Sequence, residues 1–301
     1  MLSFHLHAQE EEIVLETSTG KIFGTYKLPQ EKKNLTLVII HQGSGPTDRN
    51  GNQDDMENNS LKYIADVLAI HGIASLRYDK RGIAESKEAM SDISDITFET
   101  YINDLKSWIN LAAKDKRFKK IIIVGHSEGS LIGMLAAINN KKVNGYVSIA
   151  GPGRAADEII KDQLKAAPDA IKKNAFDMID RVKKGDTIEN VPPIFYMFLN
   201  PSIQPYMRSW FKYNPSEEIK KIKVPLLILQ GGNDTQVGEQ EAILLSNANK
   251  KASLKIIKDM NHTLKQCDTM DKEAQKTFYT NPEHPLHPNL ATELVNFVKG
   301  I

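Results

Sequence analysis

Cysteine is almost missing from this chain: Cys267 is the single one in 301 residues. One thiol excludes an intrachain disulfide framework and a metal site built of cysteines alone, and an inert thiol is the simplest reading of it. An excess of charge of one sign is missing too. Lys and Arg number 39 against 38 Asp and Glu, a formal net charge of +1. That balance leaves no electrostatic footprint for nucleic acid and no polybasic block for a membrane surface. No apolar run approaches the roughly 20 residues that a membrane-spanning helix needs. Internal repeats and low-complexity tracts are absent as well. The length suits one large α/β domain carrying an insertion, or two ordinary domains. The number of chains in the working assembly is not written in these features.

The first residues allow two readings. Leu2 to Leu6 are mildly apolar, and His7-Ala8-Gln9 has the small residue that precedes a signal-peptidase cut. A complete secretory signal also has a basic start and a longer apolar stretch, and neither is present. Residues 1–8 are therefore either the remnant of a longer signal, with mature protein starting near Gln9 and the protein exported, or an irregular N-terminus on a cytoplasmic protein. Residues 1–11 are expected to be either a disordered N-terminus or a signal-peptide remnant.

From residue 12 onward there is pattern. Residues 12–17 and 21–28 alternate and flank Ser18-Thr19-Gly20, which predicts an antiparallel hairpin. Residues 35–41, 73–78, 121–125, 145–150, 225–230 and 254–257 are short continuous apolar runs, as expected of strands buried on both faces of a parallel sheet. Helical spacing covers 61–70, 98–113, 131–138, 239–247 and 290–298. Strand and helix alternate, and each crossover is long enough for a right-handed βαβ unit. The alternation breaks over 152–215, which is amphipathic and lysine-rich at first. It then turns aromatic, with Phe195, Tyr196, Phe198, Tyr206, Trp210, Phe211 and Tyr213. The expected organisation is an α/β core of residues 12–151 and 216–301, with 152–215 as a helical cap insertion covering the sheet edge. The cap aromatics either wall a substrate pocket or simply pack the insertion onto the core.

Gly125-His126-Ser127-Glu128-Gly129 fits G-x-S-x-G. The pentapeptide alone is common. Here it stands directly between a buried strand and a helix, the context in which a strained turn raises a serine hydroxyl above a sheet. A serine hydroxyl is a weak nucleophile and needs a base, and the base needs an orienting acid. In this arrangement the chain order is serine, acid, histidine. Asp234, in the turn after strand 225–230, fits the acid. Asp259 is the competitor, but it lies three residues from His262. His262, in the loop after strand 254–257, fits the base. His41 and His126 can line such a site but are misplaced for the base, and His284 and His287 fall in a proline-broken loop.

Two N–H donors must meet the developing oxyanion. One is expected from Glu128. The other is expected from His41-Gln42-Gly43-Ser44-Gly45-Pro46, from Ser44 or, as the alternative, Gly43. The glycine-rich loop lacks both G-x-G-x-x-G entering a helix and G-K-[ST], so a nucleotide reading is weak.

Five segments in order carry a family resemblance: Gly43-Ser44-Gly45-Pro46-Thr47-Asp48-Arg49-Asn50-Gly51, Arg77-Tyr78-Asp79-Lys80-Arg81-Gly82, the Ser127 pentapeptide, Gly232-Asn233-Asp234 and Asn261-His262. Together they resemble the EstD-type bacterial carboxylesterases, in the serine-aminopeptidase and dienelactone-hydrolase-like part of the α/β-hydrolases. The resemblance runs from about residue 12 to the C-terminus and is loose in the cap. It implies the α/β-hydrolase fold, hydrolysis of short-chain acyl esters as small-molecule substrates, and no cofactor or metal. It also implies Ser127, Asp234 and His262 as the catalytic residues. One departure is Ala84, where such sequences often carry glycine, and a local loop adjustment is expected there. Arg77, Asp79 and Arg81 are expected to tie loops together by charge-assisted hydrogen bonds.

Other activities on the same residues remain open. A peptidase or amidase would need carboxylates to hold an amine, for which Asp157-Glu158 and Glu217-Glu218 are available. An acyl-CoA thioesterase would need cations for phosphates, and Lys161, Lys165, Lys172 and Lys173 are available. A catalytically inactive binding module is the reading from another class.

Overall fold

A computed structural model describes residues 9–31 and 33–301. The possible signal remnant, residues 1–8, lies outside the described residues. Eight strands form one sheet in the order β1-β2-β4-β3-β5-β6-β7-β8. They are β1 (Gln9–Thr17), β2 (Gly20–Leu28), β3 (Leu35–His41), β4 (Ala74–Tyr78), β5 (Phe118–His126), β6 (Gly145–Ile149), β7 (Leu226–Gly231) and β8 (Ser253–Ile257). The pairs β1–β2 and β2–β4 are antiparallel, and every later neighbour is parallel. The hairpin is the one the alternation predicts, but it starts earlier. Gln9, Glu10 and Glu11 pair with Leu28, Lys27 and Tyr26, so the disorder that one reading expects of residues 1–11 does not extend to these three. Their ladder hydrogen bonds and the ion pairs of Glu10 with Arg77 and Glu11 with Arg117 hold them.

The continuous apolar strands follow from burial of both sheet faces. Leu37 and Ile39 of β3 point into one layer with Leu76, Ile121 and Ile123. Val38 and Ile40, one residue out of phase, point into the other with Ile122, Val124, Val147 and Leu227. The second layer is closed by α1 (Ser60–Ile70) and, at the C-terminus, by the helix of Pro288–Gly300. The first is closed by α2 (Phe98–Ala112) and α3 (Glu128–Ala137). Nine of the ten residues of α3 are buried, which is why its sequence is apolar on all sides, without a polar stripe. Trp108 of α2 is fully buried against Tyr78, with ring centroids 5.3 Å apart.

Between β6 and β7 lies a helical insertion: α4 (Ala156–Gln163), α5 (Asp169–Lys184), α6 (Tyr196–Leu199), α7 (Gln204–Trp210) and α8 (Pro215–Ile219). It does not lie over an edge strand as expected. It rests on α2 and α3, because its aromatic end has a ready partner there. Phe98 stacks on Trp210 at 5.7 Å, and the Phe98 backbone N–H donates to Ser209 Oγ at 2.7 Å. The chain then continues through α9 (Glu239–Ala248), β8, α10 (Lys272–Gln275), α11 (Thr277–Thr280) and the final helix, α12. Among the described residues no helix is long and apolar enough to cross a membrane.

Candidate active site

Because β3, β5, β7 and β8 run parallel, their carboxyl ends open on one rim. The loops that follow them carry Ser44, Ser127, Asp234 and His262, which are up to 218 residues apart in sequence. Ser127 joins β5 to α3 at φ 55°, ψ −124°, a left-handed backbone that a non-glycine residue rarely takes. The flanking glycines permit the turn. A Cβ on Gly125 would lie 2.2 Å from the Gly129 carbonyl oxygen, and one on Gly129 would lie 2.3 Å from the Gln42 carbonyl oxygen. No side chain fits at either position, which is the physical content of the G-x-S-x-G spacing.

Asp234 is buried at the end of β7. Its Oδ1 accepts from the backbone N–H groups of Gln236 and Val237 at 2.8 and 2.9 Å, and its Oδ2 lies 2.7 Å from His262 Nδ1. Burial by itself pushes this carboxyl up. The His262 ring and the two backbone donors more than offset that and hold it below the usual carboxylate range. With Nδ1 donating to the carboxylate, the lone pair of the neutral ring sits on Nε2. The side chain of Asp259, the competing acid, lies 3.9 Å from the Lys258 ammonium, and among the described residues it makes no hydrogen bond to His262. His126 holds the histidine loop from the other side: its Nε2–H donates to the His262 carbonyl at 3.0 Å. Burial, reinforced by the neighbouring His262, pushes the His126 imidazole down to about 3, so it stays neutral at physiological pH.

Ser127 and His262 line one cleft of about 210 Å³. Gly43 and Ser44 form part of its wall, and a Cβ on Gly43 would stand 3.2 Å from Ser127 Cβ. Neither Gly43 nor Ser44 donates its N–H to a backbone acceptor among the described residues. Glu128, as the first residue of α3, has no intrahelical partner for its own N–H. Gln53, Asn58, Gln236 and Tyr279 add polar groups, while Met56 and Leu61 are the apolar ones. Among the described residues no Asp, Glu, Lys or Arg lines the cleft.

The cap aromatics are not in this wall. Phe195 and Phe211 are buried inside the insertion with Met178, Ile179 and Leu199, so they pack the cap. Six of the eight charged residues considered as anchors are engaged in ion pairs, and none of the eight lines the cleft. Asp157 pairs with Lys183, Glu217 and Glu218 with Lys220 and Lys221, and Lys161, Lys165 and Lys172 with Asp180, Asp162 and Asp169.

The motif arginines tie loops, as their sequence pattern suggests. Asp79 accepts from the Arg49 backbone at 2.8 Å and from its guanidinium at 2.7 Å, and Arg81 grips Asp104 with two nitrogens at 3.0 and 2.6 Å. A separate cavity of about 320 Å³ is lined by Arg49 and Asp79 together with Glu10, Arg77 and Glu85, and neither Ser127 nor His262 lines it. Ala84 sits at φ 45°, so alanine occupies a left-handed position that glycine takes without strain. Two supports were not assigned as such from sequence: His126, expected only to line the site, and Lys80, whose Nζ donates to the Gly43 carbonyl at 2.8 Å. Lys80 sits inside a motif at the end of a buried strand, and that placement is the signal that could have found it.

Among the described residues, no group of three or more His, Cys, Asp or Glu is arranged to hold a metal ion. A strained serine on a strand–helix turn and a mostly parallel sheet with an antiparallel hairpin are features of the α/β-hydrolase fold, which the chain has. In sequence it resembles the EstD-type esterases. The family described as serine aminopeptidase, S33, matches residues 57–186. Esterase EstD of Thermotoga maritima is 28% identical over 261 residues, covering 85% of this chain and 60% of the relative. The chain thus spans about 60% of the length of that curated relative. Two solved structures share the fold. The Pyrococcus furiosus esterase PF2001 has a TM-score of 0.62 at 17% identity, over 98% of this chain and 91% of its own. Est1E from Butyrivibrio proteoclasticus has a TM-score of 0.60 at 17% identity, over 96% and 99%.

Proposed function

We propose that this protein is a serine hydrolase that cleaves carboxylic esters with short acyl groups through an acyl-enzyme on Ser127. The observation that carries the reading is a single cleft holding both the strained serine and the histidine that is bonded to buried Asp234. In this mechanism His262 Nε2 takes the Ser127 proton as Oγ attacks the ester carbonyl, and Asp234 stabilises the imidazolium. The backbone N–H groups of Glu128 and Ser44 receive the oxyanion. Collapse expels the alcohol, protonated by His262. Water activated by the same ring then attacks the acyl-enzyme and releases the acid and the free serine. Residues 12–151 and 216–301 act as the catalytic core and 152–215 as its cap.

The cleft volume and its few apolar side chains favour a short acyl group. Its lack of charged lining favours a neutral ester over a peptide amine or a CoA phosphate. The name of the EstD relative supports the ester reading, whereas the S33 family name is that of a peptidase.

Ser127→Ala is expected to lower kcat on p-nitrophenyl acetate by at least about 10⁴-fold, with an unchanged circular dichroism spectrum. Parallel assays on aminoacyl anilides and acetyl-CoA should be far slower than on the ester. An Ala variant that keeps a substantial part of its activity overturns the Ser127 assignment, and faster turnover of the anilide or thioester overturns the ester preference.

A further inference from the structure

Lys80 is the member of the Arg77–Gly82 motif whose position the loop-tying role does not explain. It is 2% exposed. Its Nζ donates to the Gly43 carbonyl at 2.8 Å and to the Gly45 carbonyl at 2.6 Å, and it lies 5.6 Å from the centre of the Tyr101 ring. The buried Glu128 carboxylate, which also accepts a hydrogen bond from Tyr206 of the cap, is the opposite charge that acts on it. Burying an ammonium is costly unless it is paired and hydrogen-bonded. Here two of its three hydrogens go to main-chain carbonyls of one glycine-rich loop.

Peptide geometry gives that contact a consequence. No peptide bond among the described residues is cis. In a planar trans peptide the carbonyl of one residue and the N–H of the next point in opposite directions. Turning the Gly43 carbonyl toward Lys80 therefore turns the Ser44 N–H away from it. Gly43 and Ser44 both line the cleft beside Ser127, and the Ser44 N–H has no backbone acceptor there. A cation on the carbonyl oxygen also polarises the amide, making its N–H a stronger donor.

We infer that Lys80 is a positioning residue of the oxyanion hole: its ammonium holds the Gly43 carbonyl so that the Ser44 N–H of the same peptide plane is aimed at the developing oxyanion. The inference rests on the serine-hydrolase reading above. It also connects the two donors, since the ammonium that holds the loop of one is acted on by the buried carboxylate of Glu128, the residue that supplies the other.

The test is Lys80→Met, which keeps the length of the side chain and removes every donor. Active sites are counted by exhaustive fluorophosphonate labelling, and p-nitrophenyl acetate is the substrate. A donor that acts on the oxyanion serves the transition state and not the bound ester. The expected result is therefore a kcat loss of roughly 10- to 300-fold per labelled site with KM moving less than about threefold. Lys80→Arg, which restores charge and donors, should recover most of that loss. Should the Met variant fail to fold, Lys80→Gln, with one neutral amide donor, takes its place, and a smaller kcat loss at constant KM is expected. A kcat per labelled site close to that of the parent, or a loss carried by KM, overturns the inference. Ser127→Ala separates the two readings. If it is inactive while Lys80→Met is not impaired, only the Lys80 inference fails; if it is active, both fail.

Discussion

Among the described residues eight non-glycine positions have positive φ, and two of them, Ser127 and Ala84, hold it for different reasons. Ser127 is kept at φ 55° by a turn that raises its hydroxyl above the sheet, and Gly125 and Gly129 leave the space to do so. Ala84, at φ 45°, has no such chemistry attached to it. A methyl side chain there costs about 1 kcal/mol relative to glycine in the folded state, while glycine loses about 0.4–1 kcal/mol through the freer unfolded chain. Ala84→Gly is therefore expected to lie between neutral and about 0.6 kcal/mol more stable, raising Tm by up to about 2 °C. A clear fall in Tm by calorimetry would mean the Ala84 methyl makes contacts that outweigh the strain. The strained turn at Ser127 was legible because two positions where no Cβ fits impose a local glycine spacing. The left-handed turn at Ala84 was not, since alanine carries no local sign of positive φ.

At the scale of elements, the helices of the insertion were legible and their docking was not. The amphipathic pattern of α5 marks a helix that buries Ala175, Met178, Ile179 and Val182, but it does not say against what. Docking is decided by pairs distant in sequence: Phe98 with Trp210, and Tyr206 with Glu128. The second pair is open to test. The Tyr206 hydroxyl is the cap's donor to a carboxylate that burial pushes up and that the Lys80 charge only partly draws back. Tyr206→Phe removes that donor and leaves a buried carboxylate one bond short, a loss of about 1.5–3 kcal/mol. The expected outcome is a lower urea midpoint and faster limited proteolysis between α4 and α7. A variant that matches the parent in both would mean Glu128 finds another donor.

For the whole molecule, the notable feature is imidazole buried without charge. Burial pushes both His41 and His126 down to about 3, helped by the Lys80 charge in one case and by His262 in the other. Unfolded, each would titrate near 6.5. Between those values the unfolded chain binds more protons than the folded one, so stability falls as pH falls. The contribution is complete above about pH 6.5 and is lost progressively toward pH 3. Asp234, held low in the fold, adds in the same direction at the acid end, since its share is present above the unfolded carboxylate value and lost below it. Urea unfolding at pH 7, 6, 5 and 4 should show a steady decline. In His126→Gln the slope should shrink by up to about 1.4 kcal/mol per pH unit. A pH-independent stability between 4 and 7 would mean that these rings take up protons in the folded state as readily as in the unfolded chain.

The sequence by itself determined the parallel order of strands and helices, the turn around Ser127 and the neutral balance of charge. Each of these follows from residues near one another in the chain: apolar runs for strands buried on both faces, glycines where no Cβ fits, acids and bases in equal number. Only the tertiary structure decided which acid meets His262, where the cap rests, that its aromatics fill the cap instead of the cleft, and that Lys80 grips the Gly43 carbonyl. Those contacts join segments tens to hundreds of residues apart. They depend on where a twisted sheet delivers its strand ends, and no local pattern encodes that.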